Sequence, residues 1–169
     1  MHLSQLQKVS LTNYHAGVRL AIDCGLARIG VAKCDREMLL ATPVATVPAG
    51  EFALADLMVL IQDIEPEVIY VGYPVNLSGQ ETASTQHAKD LARQISLRCR
   101  ESKLAVNVRL VDERLTTVSA QSALRESGHT AKSSRGVIDQ AAAVALLEFA
   151  IESERRQQCY AGLLVSDEN

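Results

Sequence analysis

The stretch from Leu20 to Ala32, LAIDCGLARIGVA, constrains this chain more than any other. Two apolar runs are separated by a short glycine-containing turn, and the first run ends in an aspartate, Asp23. Residues Val18 to Cys24 alternate as a strand does, Gly25 to Arg28 read as a turn, and Ile29 to Cys34 return as a second strand. A carboxylate at the end of an apolar strand is costly to bury unless a cation or hydrogen-bond donors meet it. Whatever fold forms must therefore supply Asp23 with a partner.

The rest of the chain suggests how. Met38 to Val47 is β-leaning but interrupted by Pro43, which suits an edge strand. Leu54, Leu57, Met58, Ile61 and Ile64 recur at helical spacing before Pro66. Val68 to Val71 forms a short β-branched and aromatic run ending in Gly72-Tyr73-Pro74, as a buried parallel strand would. A loop with Ser78-Gly79 leads to a helix in which Ala88, Leu91, Ile95 and Cys99 share a face. Val106 to Val111 reads as a strand, Val118 to Glu126 as a helix stopped by Gly128, and Gly136 to Glu154 as a last helix. The order β-β-β-α-β-α-β-α-α predicts one α/β domain over residues 18–155. Its mixed five-stranded sheet would join a three-strand antiparallel meander to two parallel strands, with helices on both faces. Residues 1–17 are expected to be an N-terminal extension and 156–169 a frayed, flexible tail.

Composition narrows the function classes. With 169 residues, 47% of them apolar, the chain can bury a substantial core as one domain. A formal charge of −3 argues against a bulk nucleic-acid coat protein and leaves only local basic patches. The N-terminus lacks a continuous apolar core and no run reaches the length of a membrane span, so a cytoplasmic protein without a membrane partner is expected. Cys24, Cys34, Cys99 and Cys159 form no C-x-x-C pair and read as free thiols, with a redox role for Cys24 and Cys34 left open. The four histidines fall singly, which offers neither a histidine-ligated metal nor a Ser-His-Asp triad.

Asp23 is not alone. Val111 is followed by Asp112-Glu113-Arg114, and Asp139 interrupts the apolar helix VIDQAAAVALL. One such acid reads as a cap or a partly solvated carboxylate. Three embedded in apolar sequence are better explained by a shared cation that offsets their repulsion. Carboxylates suit hard Mg²⁺ or Mn²⁺, as one ion or two, and Cys24 is a poor ligand for either. Strand parity bears on the middle acid. Glu113 shares parity with Arg109 and Asn107, much as Asp23 does with Ala21 and Arg19. Glu113 is thereby favoured as the ligand, with Asp112 as a supporting acid or helix cap and still an alternative.

Several other residues fit around these acids. Gly25 and Gly30 permit a tight turn and close backbone approach beside Asp23. Gly72, Pro74 and Gly79 frame a loop at the end of the fourth strand. Arg114 reads as a phosphate clamp or, equally simply, as the ion-pair partner of Asp112. Lys132 and Arg135, in the stretch HTAKSSRG before the helix of Asp139, form a phosphate-backbone site or a solvated linker.

IDCGLARIGVA, VGYPVNLSG, LVDERLTT and IDQAAAVALL, in this order and spacing, resemble the YqgF/RuvX family of the RNase H-like superfamily. The resemblance runs from Arg19 to Glu148. It implies an RNase H-like fold and a divalent-metal nuclease, a hydrolase of ester bonds that matures the 5′ end of pre-16S ribosomal RNA. Some relatives are described instead as Holliday junction resolvases. By resemblance, Asp23 matches the family's first-strand aspartate and Asp139 the aspartate of its last helix. The strand ending in Gly72 carries no acid, and the resemblance implies that the second one is supplied by the Asp112-Glu113-Arg114 motif. The implied partner is nucleic acid, either precursor ribosomal RNA or branched DNA, and a resolvase would act as a homodimer. Two other classes compete. An actin-like ATPase shares the Asp-x-Gly hairpin but needs a second lobe that this chain lacks. A non-catalytic ribosome-assembly or nucleic-acid-binding factor would keep the fold without turnover.

Overall fold

The computed structural model describes residues 14–115 and 135–166. Six strands form one sheet in the order β3-β2-β1-β4-β5-β6. They are β1 (Arg19–Cys24), β2 (Arg28–Cys34), β3 (Ala41–Pro48), β4 (Val68–Tyr73), β5 (Asn107–Asp112) and β6 (Leu163–Leu164). The first three make the expected antiparallel meander, and β4 and β5 add in parallel to β1. Pro43 lies on β3, the outer strand, where its missing N–H leaves no ladder bond unmade in a central position. Next to it the β2–β3 register shifts between Val31 and Ala32.

The sixth strand departs from expectation. The segment beyond Arg155, read from sequence as a frayed tail, extends the last helix to Gln157 and then pairs Leu163 and Leu164 antiparallel with β5. The sequence gives little warning because two residues carry no periodicity. The predicted helix over 118–126 lies outside the described residues.

Among the described residues, three helices cover the sheet. On one face, α1 (Ala53–Ile64) buries Ala53, Leu57 and Ile61, and α2 (Ala83–Glu101) buries Ala88, Leu91, Ala92, Ile95 and Cys99. They pack on Leu20, Ile22, Ile69, Val71 and Val108. Helix α1 ends where Glu65 takes a left-handed conformation at φ 52°, just before Pro66. Thr82 caps α2 in a reciprocal arrangement with Thr85. On the opposite face lies α3 (Arg135–Gln157), burying Ala143, Leu146, Leu147, Ala150 and Ile151 against Ala21, Ala32, Tyr70 and Val111. Its alanines let the helix axis come close to the sheet, while each fully buried leucine contributes about 1.5–3 kcal/mol. Strand β4 is buried on both sides, which accounts for its unbroken apolar run. Among the described residues no helix is long and apolar enough to cross a membrane.

Candidate active site

Strand pairing places Asp23 opposite Gly30 of β2 on one side and opposite Gly72 of β4 on the other. Directly opposed residues project to the same face of a sheet. A side chain at Gly30 would collide with the backbone carbonyl of Asp139, and one at Gly72 with the carboxylate of Glu113. The two glycines therefore clear the positions flanking Asp23. Helix α3 brings Asp139 down over one, and the 3-10 turn Glu113–Leu115, which follows β5, brings Glu113 over the other. All three acids meet on the face covered by α3.

Their electrostatics follow from this crowding. The carboxyl groups of Asp23 and Glu113 share a hydrogen bond. Burial pushes the Asp23 carboxyl above its ordinary range, and the charge of Asp139 adds to the effect. Burial, then the hydrogen bond and charge of Asp23, push Glu113 up to about 9. Without a cation, Glu113 holds the shared proton at neutral pH. Asp139 meets a different partner: Arg28 Nε donates to its Oδ2 at 2.7 Å. Arg28 is the residue that the sequence reading missed, and the only signal for it was a guanidinium in the turn between Asp23 and Gly30.

The neighbouring acid behaves differently. Asp112 lies on the opposite strand parity, and its carboxylate accepts from the Arg114 backbone N–H at 3.0 Å and from Arg114 Nε at 2.7 Å. Desolvation opposes its ionisation, but these hydrogen bonds and the guanidinium charge hold its carboxyl below the ordinary range. Parity thus separated the two acids as the sequence suggested, and Arg114 is the ion-pair partner of Asp112. Cys24 points to the other core, and burial with the nearby carboxylate charges pushes its thiol up to about 12. It remains protonated and unfit to bind a metal.

The remaining candidates are scattered. Gly25 closes the β1–β2 turn, Pro74 follows β4 and its carbonyl accepts from the Thr85 hydroxyl, and Gly79 turns the next loop at φ 80°. Arg135 is the first residue of α3, and Lys132 lies outside the described residues. As the side chains stand, the described residues contain no group of three His, Cys, Asp or Glu placed to hold one metal ion. The donor chemistry nevertheless fits a hard divalent ion. Hydrogen-bonded carboxyls such as Asp23 and Glu113 need a proton or a cation between them, and Asp139 already faces a positive charge.

A family model described as "RuvX: Holliday junction resolvase" matches residues 17–153. The chain belongs to the RuvX family. That match spans the strands, the turn and the helix bearing the three acids. A protein named "Putative pre-16S rRNA nuclease" from Cutibacterium acnes is 46% identical over 142 residues, covering 84% of this chain and 86% of that one. One of the same name from Streptomyces coelicolor is 46% identical over 141 residues, covering 82% of each. A solved structure of T. thermophilus RuvC in complex with Holliday junction substrate superposes with a TM-score of 0.56 at 15% identity. The match covers 85% of this chain and 98% of that one, and shows that this chain has the RuvC-like, RNase H-like fold.

Proposed function

We propose that this RuvX-family chain is a metal-dependent nuclease that hydrolyses phosphodiester bonds in the 5′ maturation of pre-16S ribosomal RNA. One observation carries the reading: three carboxylates converge on one face, each flanking acid entering over a glycine opposite Asp23. The names of relatives near 46% identity favour the RNA precursor. The family description favours four-way DNA as a second substrate.

In this reading Asp23, Glu113 and Asp139 would hold Mg²⁺ or Mn²⁺, which when bound polarises the phosphate and lowers the pKa of attacking water. The chain's own residues set the stage. Glu113 holds a proton against Asp23 in the metal-free site, and as a ligand it would have to be deprotonated. Arg28 holds the Asp139 carboxylate in place before loading. Helix α3 covers the Gly30 side of Asp23, where its Asp139 backbone lies against that glycine. Lys132 and Arg135 are proposed to contact backbone phosphates.

The test presents a pre-16S 5′ leader and a four-way DNA junction side by side, in Mg²⁺ and in Mn²⁺. Wild type should cut the leader at discrete sites, Glu113→Gln should not, and Asp112→Asn should retain measurable activity. Cleavage of the junction alone would move the reading to the second substrate. No cleavage of either in either metal would overturn it in favour of a non-catalytic binding factor.

A further inference from the structure

A cleft of about 380 Å³ opens between α2 and the β5–β6 edge, on the side of the sheet away from the acids. Tyr73, Leu110 and Val165 wall it, and Lys89, Arg93 and Arg114 stand around it. Its location is the first point. Tyr73 directly follows Gly72, and Arg114 directly follows Glu113, so the cleft begins one residue from two parts of the acid site.

Its construction is the second. The chain returns after α3 to build one wall, and it can do so because Gly162 sits where a side chain would strike the Leu110 carbonyl. The aromatic ring is half-buried, with Lys89 Nζ 5.9 Å from the Tyr73 centroid. Each cation already has an acid: Lys89 pairs with Glu81, Arg93 with Asp90 at 3.0 Å, and Arg114 with Asp112 at 2.5 Å. These pairs are solvent-facing, and such pairs are held by little net energy. An incoming phosphate can recruit the cations without leaving a buried charge behind.

We infer that this cleft takes an unpaired nucleotide adjacent to the scissile phosphate, with its base against Tyr73 and the apolar walls and its phosphate among the three cations. The inference rests on the nuclease reading for the position of the scissile phosphate. An apolar, aromatic floor ringed by cations matches a base with a phosphate attached, whereas a base inside a duplex has both faces already stacked and cannot enter. Single-stranded or locally opened substrate is therefore preferred over fully paired nucleic acid.

The experiment needs neither metal nor cleavage. Fluorescence anisotropy in divalent-free buffer compares a short oligouridylate with an abasic ribose-phosphate oligomer of equal length and charge. Wild type should bind the oligouridylate about tenfold more tightly, a difference within the range of one base–aromatic stack. Tyr73→Leu, which keeps an apolar side chain but removes the ring, should bring the two probes to within about twofold while leaving the abasic affinity unchanged, and Tyr73→Phe should restore the preference. Lys89→Ala with Arg93→Ala should weaken both probes equally. Equal wild-type affinity for the two probes, a preference that survives Tyr73→Leu, or no binding of either would overturn the inference. Tyr73-dependent base preference in a protein that never cuts would overturn the nuclease reading alone. Cleavage by a protein with no base preference would overturn the cleft alone.

Discussion

Strand β1 and helix α3 run antiparallel and meet at two ends, and the two meetings are built on opposite electrostatic plans. At the start of β1, Arg19 Nε and Nη2 each donate to Glu154 near the end of α3, both at 3.1 Å. The Tyr70 hydroxyl also donates to Glu154 and itself accepts from the Ala161 N–H at 3.3 Å. Burial and the Glu154 charge hold Tyr70 well above its ordinary range, so it stays a donor. Both Arg19 and Glu154 are 0% exposed. At the far end of the same strand and helix, Asp23 meets Glu113 and Asp139, and among the described residues the half-exposed Arg28 pairs with Asp139. One end closes its charges among themselves. The other gathers like charges that stay together only by holding a proton or a cation. The fold thus pairs a buried acid with a buried base at one end of the strand and crowds perturbed carboxyls at the other.

Four changes would break or sharpen this contrast, and the largest acts on catalysis. Asp23→Asn should lower cleavage by about a thousandfold or more, the equivalent of several kcal/mol of lost transition-state stabilisation. It should leave the metal-free protein as stable as wild type or more so, because it removes a crowded charge; a marked fall in melting temperature would make Asp23 a structural acid like Glu154. The mirror substitution, Glu154→Gln, strands the buried Arg19 and should cost about 3–5 kcal/mol in urea unfolding. Mg²⁺ then distinguishes the ends. At about a hundred times its dissociation constant it should stabilise wild type by about 3 kcal/mol in thermal unfolding, Glu154→Gln by a similar increment, and Asp23→Asn by much less. An equal increment in all three would place the ion elsewhere.

The most gradual effect is in pH. Glu113 titrates from its ordinary 4.5 up to about 9 in the fold, so the folded state binds more protons than the unfolded one between those values. Metal-free stability attributable to this group should be full below pH ~4.5 and decline as pH rises through about 9, by on the order of a few kcal/mol. Glu113→Gln should flatten that decline in melting temperature measured across the same range. A decline that persists unaltered in the variant would assign it to other groups.

Much of the acid end was legible beforehand. Asp23 and Asp139 stand out because each interrupts an apolar run, and parity pointed to Glu113 as the acid facing Asp23, although Glu113 lies one residue beyond β5, in the 3-10 turn. Gly30 was readable as a place of close approach, though not what approached it. The structural end was invisible. Arg19 served only as a parity marker, and Glu154 read as the polar close of a helix, because their partnership spans 135 positions and leaves no local pattern. The cleft beside α2 was equally hidden, since its wall comes from a two-residue strand.

The sequence by itself determined five of the six strands, the three described helices, the meander, the parallel pair and the candidate acids. All of these are written in local periodicity and in the cost of placing a carboxylate in apolar surroundings. Register and packing decided the rest. Only the pairing of Asp23 between Gly30 and Gly72 shows why those positions are bare, and only the antiparallel seating of α3 on β1 sets Arg28 against Asp139 and Glu154 against Arg19. Contacts between distant segments depend on how the layers stack, and side-chain spacing along the chain carries no record of that.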